Sequence, residues 1–139
     1  MKNKGFTLVE LMIVVAIVSI LASIAVPAYN NYVLRGKLTE AMTELAGMRV
    51  KLEQYYQDYR NYGSASCGVA APTAPAVKHF SYTCDLGATD QSYTATATGI
   101  AAQGTGNFIY TIDQNNNKTT EISGGTPINC WARKEDGSC

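Results

Sequence analysis

The first third of the chain contains a long apolar segment, and this segment limits what the chain can fold into more than any other feature. From Phe6 to Tyr29 the only side chain that is charged at pH 7 is that of Glu10. As an α-helix, the segment would be about 36 Å long, enough to cross the hydrocarbon core of a bilayer. Lys2 and Lys4 precede it, and basic residues there keep the N-terminus cytoplasmic. We therefore expect a membrane-spanning helix whose C-terminal side is exported.

Glu10 is the residue of this segment that needs an explanation, because a carboxylate in an apolar membrane segment is costly and usually has a partner and a function. The residues around it resemble the cleavage signature of the type IV prepilin family: Gly5, Phe6, Thr7, Leu8 and Glu10. The resemblance covers residues 4–32 and includes Pro27 and the sequence Tyr-Asn-Asn-Tyr that ends at Tyr32.

The resemblance to prepilins implies how the segment is used. A membrane peptidase would remove the leader, residues 1–5, by cutting between Gly5 and Phe6, and would N-methylate the new terminal Phe6. Residues 6–29 would stay as a hydrophobic helix of the inner membrane and later of the filament core. The carboxylate of Glu10 would pair with the terminal amine of Phe6 in a neighbouring subunit.

A second interpretation of the same segment is an ordinary secretory signal. Ser23 and Ala25 form a small-x-small site for signal peptidase, which would release a soluble binding module that begins at Val26. The acid at Glu10 and the helical pattern that continues through this site both argue against such a cut.

The cysteines indicate an oxidising compartment. All four lie beyond the apolar segment: Cys67, Cys84, Cys130 and Cys139. An even number of exported cysteines predicts two disulfides, with three possible connectivities. We favour Cys67–Cys84 with Cys130–Cys139, because both pairs are neighbours in sequence and close short loops.

The sequence contains no motif that indicates an enzyme or a cofactor site. We find no phosphate-binding glycine loop, no set of nucleophile and base, and no spacing typical of metal ligands, so we predict no cofactor and no metal. Eleven basic residues balance 11 acidic ones. DNA is therefore a weakly supported partner, represented only by the basic doublets at Lys78-His79 and Arg133-Lys134. We expect His79 to be exposed or at the edge of a loop.

The helical pattern changes after the apolar segment. Pro27 has no N–H for the carbonyl of Ser23, so a kink is expected there. Residues 30–62 are predicted to form an amphipathic helix that stops before Gly63. Its apolar stripe has alternating spacings of four and three: Leu34, Leu38, Ala41, Leu45, Met48, Leu52, Tyr55, Tyr59 and Tyr62.

The remainder of the chain is predicted to be a loop followed by a sheet. Residues 63–79 are rich in Ala, Pro, Gly and Ser and read as a connecting loop. Residues 80–123 contain four short runs of strand character, the last two joined by the turn Gln-Asn-Asn-Asn that begins at Gln114. Residues 124–139 form a C-terminal region closed by a disulfide. The predicted fold class is α+β, with a long N-terminal helix and a four-stranded antiparallel sheet.

The C-terminal half has a second resemblance, to the pilins often called PilE-type. It rests on the tyrosines from Tyr55 to Tyr62, the hairpin from Tyr110 to Ile122, and Asn129-Cys-Trp. Both resemblances imply a structural subunit, not an enzyme, of a bacterial type IV pilus used for adhesion, twitching motility or DNA uptake. Its implied partners are other pilin subunits, prepilin peptidase and, before assembly, the inner membrane; the assembled pilus would lie at the cell surface.

A pseudopilin of a type II secretion system is the alternative within the same class, because it shares the leader and the helix. Pseudopilins often have a calcium-binding loop and lack the terminal disulfide. Here Asp85, Asp90 and Asp113 do not form a dense acidic loop, which disfavours this alternative.

Overall fold

The computed structural model describes residues 5–139, so Lys2 and Lys4 lie outside the described residues and their part in membrane insertion stays a prediction. The chain divides into two compact units, and the boundary in sequence lies between Val33 and Leu34. One helix, α1, runs from Leu8 to Tyr59 and contributes residues to both units. The apolar segment of residues 6–29 lies wholly within the first unit.

The first unit presents apolar side chains on its surface. Large apolar residues from Phe6 to Val26 are at least half exposed. The hydroxyl of Ser19 donates to the carbonyl of Val15, so this polar group is satisfied within the helix itself. Helix α1 continues through Pro27 without interruption. A bend at Pro27 therefore stays a prediction.

In the second unit, the predicted stripe of α1 packs into the core. The fully buried residues of the helix are Leu38, Ala41, Leu45, Met48 and Leu52. They share one hydrophobic cluster with inward-facing residues of the sheet. The stripe prediction was wrong at Tyr59, which is exposed and stacks on Tyr55 with 4.4 Å between ring centroids.

The predicted helix end at residue 62 is corrected to Tyr59. Arg60 has a φ of 60°, in the left-handed region, and the helix cannot continue through this conformation. The N–H of Tyr62 donates to the carbonyl of Asp90 at 2.8 Å instead of to a helical carbonyl. Tyr62 has helical spacing in the sequence, but it is buried from a turn.

Four antiparallel strands form the sheet in the order β1-β2-β3-β4, which confirms the predicted meander. They are β1, Phe80–Leu86; β2, Tyr93–Gly99; β3, Phe108–Asp113; and β4, Lys118–Ile122. A short 3₁₀ helix, Ala101–Gln103, lies between β2 and β3. The predicted fold class, a long helix with a four-stranded antiparallel sheet, is confirmed.

One face of the sheet supplies the other half of the core. Alternate residues along β1, β2 and β3 are buried, as the period of two requires. These residues are Phe80, Tyr82, Tyr93, Ala95, Ala97, Phe108, Tyr110 and Ile112. The outward residues are mostly threonines and other polar side chains, so this face is suited to solvent.

The hairpin between β3 and β4 forms where the turn was predicted. The Oδ1 atom of Asp113 accepts hydrogen bonds from the N–H groups of Asn115 at 2.9 Å and Asn117 at 2.8 Å. Asn116 adopts a φ of 62°, a conformation that asparagine tolerates better than most residues.

Candidate functional site

The predicted cleavage site lies outside the helix and is exposed. Gly5 and Phe6 precede α1, and Phe6 is 90% exposed. A Cβ atom added at Gly5 would meet nothing within 4 Å among the described residues. The described part of the fold therefore imposes no requirement for glycine at this position.

Glu10 forms a capping box with Thr7 at the start of α1. Its Oε2 atom accepts hydrogen bonds from the N–H of Thr7 at 2.8 Å and from the Thr7 hydroxyl at 2.7 Å. The Thr7 hydroxyl oxygen accepts from the N–H of Glu10 at 3.2 Å. This cap was not among the predictions, although the spacing Thr-x-x-Glu is its known signal.

The capping box uses one oxygen of the Glu10 carboxylate. Among the described residues, no donor is within hydrogen-bond distance of the other oxygen, Oε1. A carboxylate can accept bonds on both oxygens. Glu10 can thus cap its own helix and still accept a donor from another molecule.

Among the described residues, α1 is the one helix that is long and apolar enough, by length and composition, to cross a membrane. The stretch concerned is near the N-terminus and is not buried. Exposed side chains of this size are unfavourable in water, because each would gain about 1.5–3 kcal/mol from burial. Contact with another apolar surface would therefore stabilise this segment.

The four cysteines form two disulfides in the pairing favoured from the sequence. Cys67 is joined to Cys84, which ties the loop after α1 to β1. Cys130 is joined to Cys139, which closes the end of the chain into a small loop.

The C-terminal region docks on the last two strands through hydrogen bonds. The hydroxyl of Tyr110 donates to the carbonyl of Ala132 at 2.7 Å, and burial raises the pKa of this hydroxyl, so it stays protonated. The indole N–H of Trp131 donates to the carbonyl of Thr111 at 2.9 Å. The sequence predicted the closing disulfide but none of these bonds.

The buried hydroxyl of Thr120, on β4, is a second attachment point for the tail. It donates to the carbonyl of Cys130 at 2.6 Å and accepts from the N–H of Ala132 at 2.9 Å. The backbone of Thr120 also pairs with that of Ile128. The tail is therefore held independently of its disulfide.

His79 is at the edge of a loop, as predicted, but it has a partner that was not predicted. Its Nδ1 atom lies 2.7 Å from Oε2 of Glu40, and both side chains are largely buried. Oε1 of Glu40 accepts from the N–H groups of His79 at 2.9 Å and Lys78 at 3.2 Å. Burial opposes the charged form of Glu40, but the bonds from His79 and Lys78 outweigh it and lower the pKa.

Lys118 and Trp131 form the second surface feature that the sequence did not reveal. The Lys118 ammonium lies 4.6 Å from the centroid of the Trp131 ring, at cation–π distance. Both residues line a pocket of about 470 Å³, together with the exposed amides of Asn116 and Asn129. This combination of cation, aromatic ring and amides can bind a polar or planar group.

Comparisons with known families cover most of the chain. Residues 1–26 match the prokaryotic N-terminal methylation motif. Residues 27–120 match the family described as "Type IV minor pilin ComP, DNA uptake sequence receptor".

Individual relatives are similar over nearly the whole chain. The type IV major pilin protein PilE1 of Neisseria gonorrhoeae is 34% identical over 138 residues, which cover 98% of this chain and 72% of the relative. A fimbrial protein of Neisseria meningitidis serogroup A is 34% identical over 138 residues, covering 98% of this chain and 69% of the relative. The similarity therefore includes both the N-terminal segment and the sheet.

A solved structure of a type IV pilin from Shewanella oneidensis shares the fold. Its TM-score is 0.50 at 19% sequence identity, over 61% of this chain and 89% of the other.

Proposed function

The chain belongs to the type IV pilin family and is a structural subunit of a type IV pilus, and from this premise we propose how it is processed and assembled. Prepilin peptidase cuts between Gly5 and Phe6 and N-methylates Phe6. The subunit waits in the inner membrane, held by residues 6–29, and then enters a filament at the cell surface. The subunit itself catalyses no reaction.

The geometry at the start of α1 carries this proposal. Glu10 lies one helical turn from the exposed Phe6, and its Oε1 atom is open to a donor from outside the described chain. In an apolar filament core, an unpaired carboxylate costs several kcal/mol. The amine of Phe6 in an adjacent subunit removes that cost only at the correct axial position, so Glu10 selects the register of assembly.

The helical segment also supports cleavage before Phe6 over release by signal peptidase. A cut after Ala25 would fall inside α1, which is continuous from Leu8 to Tyr59. Cleavage in an exposed stretch outside the helix, where Gly5 and Phe6 lie, is easier than cleavage within an intact helix. The exposed apolar surface of residues 6–29 then drives lateral packing in the filament, at about 25 cal/mol per Å² of apolar area removed from water.

Two measurements test the proposal. Mass spectrometry of the exported protein should show a chain that begins at N-methylated Phe6, and a chain that begins at Val26 would refute it. A quantitative inventory of sheared surface filaments should contain the protein. Its absence from filaments that are otherwise intact would favour a pseudopilin, and its abundance would separate a major from a minor subunit.

DNA uptake is a second, more specific function, suggested by the description of the matching family. The pocket at Lys118 and Trp131 supports it, since a cation, an aromatic ring and the free amide of Asn129 are groups that bind phosphates and bases. We infer that this pocket contacts DNA in the filament.

The DNA contact can be tested with the full-length protein in detergent and a labelled duplex. Lys118→Gln should weaken binding and lower the slope of log affinity against log salt by about 1, as expected for one lost phosphate contact. Lys51→Gln, which removes an exposed lysine of α1 outside the pocket, is the control. Equal effects of the two variants, or no binding by the wild type at low salt, would argue against this site.

A further inference from the structure

Three cations from distant parts of the chain line one pocket in the second unit. Arg35 from α1 meets Arg133 and Lys134 from the C-terminal region around a pocket of about 380 Å³. All three residues are exposed. The hydroxyl-bearing residues Thr39 and Ser138 line the same pocket.

None of these cations has a carboxylate within 4.0 Å in the described part of the chain. Among residues 5–139, the only ion pair within 4.0 Å joins His79 to Glu40. Asp136 is close enough to two of the three cations to be affected by their charge. Its pKa is lowered first by hydrogen bonds from Ser138 and further by the positive charges of Lys134 and Arg35. Its Oδ1 atom is engaged by the N–H of Ser138 at 2.8 Å, so Asp136 reduces the local charge without filling the pocket.

The chemistry of the pocket fits a phosphodiester. Each guanidinium offers a planar fork of donors that matches two phosphate oxygens, and a nearby ammonium adds a point charge. The cluster is small, and Glu135 and Asp136 lie in the same tail. It therefore suits one or two phosphate groups, and, unlike the pocket at Lys118 and Trp131, it has no aromatic side chain in its lining that could stack on a base.

The position of Arg35 in the chain indicates where such a phosphate would come from. Arg35 is the first cationic residue after the apolar segment and follows Tyr29 by six residues in the sequence. The headgroup layer extends about 5–7 Å beyond the hydrocarbon core, and long cationic side chains reach back toward it. Tyr29 and Tyr32, 68% and 78% exposed, are residues typical of the membrane interface.

We propose that the pocket formed by Arg35, Arg133 and Lys134 binds the headgroup of an anionic phospholipid while the subunit is in the membrane. This inference rests on the proposed function, because it requires the membrane-inserted subunit. The contact attaches the C-terminal tail to the membrane surface before assembly and is released when the subunit leaves the bilayer.

Native mass spectrometry of the full-length, processed protein in detergent tests the proposal. Phosphatidylglycerol and phosphatidylcholine are titrated separately, and the bound lipids are counted. The wild type should prefer phosphatidylglycerol. Arg35→Gln/Arg133→Gln should weaken phosphatidylglycerol binding about 25-fold, at about fivefold for each cation near an anionic surface. Lys51→Gln/Arg60→Gln has the same charge change on exposed residues outside the pocket and should leave the preference intact.

Three results would overturn the proposal. The first is equal binding of the two lipids by the wild type, and the second is an equal loss of phosphatidylglycerol affinity in the two double variants. The third is an Arg35→Gln/Arg133→Gln variant that loses affinity for a short DNA duplex while keeping its lipid preference. The inventory of sheared filaments distinguishes failure of the headgroup site from failure of the proposed function. A subunit present in filaments that shows no lipid preference would refute only the headgroup site.

Discussion

At the scale of single residues, Glu10 caps its own helix with one carboxylate oxygen, and we propose that the other oxygen serves assembly. Oε2 accepts two hydrogen bonds from Thr7 and caps α1, whereas Oε1 has no donor among the described residues. Assembly by charge pairing requires the second oxygen, and helix capping requires the first. A third role, recognition of the precursor by the peptidase, would act before either of them. Variants at this position can separate the three.

We predict that Glu10→Ala is cleaved and inserted in the membrane but enters filaments poorly, because the terminal amine of a neighbour loses its partner. Glu10→Gln is the matched control, since its amide oxygen can still accept the Thr7 bonds without carrying a charge. The measurement is the ratio of variant to wild type in sheared filaments after co-expression. If charge pairing governs assembly, both variants are depleted.

Wild-type incorporation of Glu10→Gln, with poor incorporation of Glu10→Ala, would assign Glu10 to the cap alone. Accumulation of uncleaved precursor would assign it to recognition by the peptidase.

We predict that Gly5→Val leaves uncleaved precursor in the membrane. The added Cβ meets nothing within 4 Å among the described residues, so we expect the effect to arise in the peptidase site and not in helix α1. The measurement is the mass of the membrane-bound protein. Normal processing of Gly5→Val would contradict the assignment of the cleavage site.

At the scale of elements, glycine is expected to destabilise the protein inside the helix and to stabilise it in the turn that follows. Gly47 lies inside α1, and a Cβ atom there would meet nothing within 4 Å. Gly63 has a φ of 148°, and a Cβ atom there would overlap the carbonyl of Ser66. This turn lets the chain leave α1 and form the bridge between Gly63 and Cys67.

We predict that Gly47→Ala raises the free energy of unfolding by about 1 kcal/mol, because alanine is the better helix former. Gly63→Ala should lower it by about 1–3 kcal/mol, because the turn requires a conformation that alanine rarely adopts. Denaturant titration of both variants in the same detergent measures the two changes. Changes of the same sign would contradict the described turn.

The C-terminal loop gives a second prediction for an element. Cys130→Ser/Cys139→Ser should lower the free energy of unfolding by about 2–4 kcal/mol, since the disulfide closes a short loop of the unfolded chain. The tail should stay attached through Thr120 and Tyr110. Non-reduced peptide mapping checks the pairing, and a cross-linked peptide joining Cys84 to Cys130 would refute it.

At the scale of the whole molecule, burial is distributed unequally. The first unit exposes its apolar side chains, and the second unit buries its own in one cluster shared by α1 and the sheet. Glu40 ties these two elements of the second unit together, because it accepts bonds from Lys78 and His79 just before β1. The first unit therefore leaves its apolar surface exposed, whereas the second has a core of its own.

We predict that the tie at Glu40 weakens in acid. The pKa of Glu40 in the folded protein is below its ordinary value of 4.5. The carboxylate therefore contributes fully to the free energy of unfolding above pH 4.5, and this contribution is lost as the pH falls through the folded pKa. Glu40→Gln should lower the free energy of unfolding by about 1–3 kcal/mol near pH 6, and the difference from the wild type should shrink below about pH 4. Denaturant titrations at both pH values measure this, and a difference that does not change with pH would exclude the carboxylate as its source.

The sequence by itself determined the features that depend on neighbours along the chain. The apolar segment, the stripe from Leu38 to Leu52, the four strands and the turn after Asp113 are all local patterns of spacing and residue type. These patterns were enough to predict the fold class and the family. The capping box of Thr7 and Glu10 was also predictable from the spacing Thr-x-x-Glu, although it was not predicted.

Only the tertiary structure decided which distant side chains meet. Glu40 and His79 are 39 residues apart but hydrogen-bonded, and Arg35 lines the same pocket as Arg133 from the other end of the chain. Tyr62 follows the helical spacing but is buried from a turn, because the carbonyl of Asp90 takes its N–H. Such pairings depend on the order and register of packed elements, and no local period encodes them. The physical reason is that a polar side chain takes the partner that the packed core brings within reach.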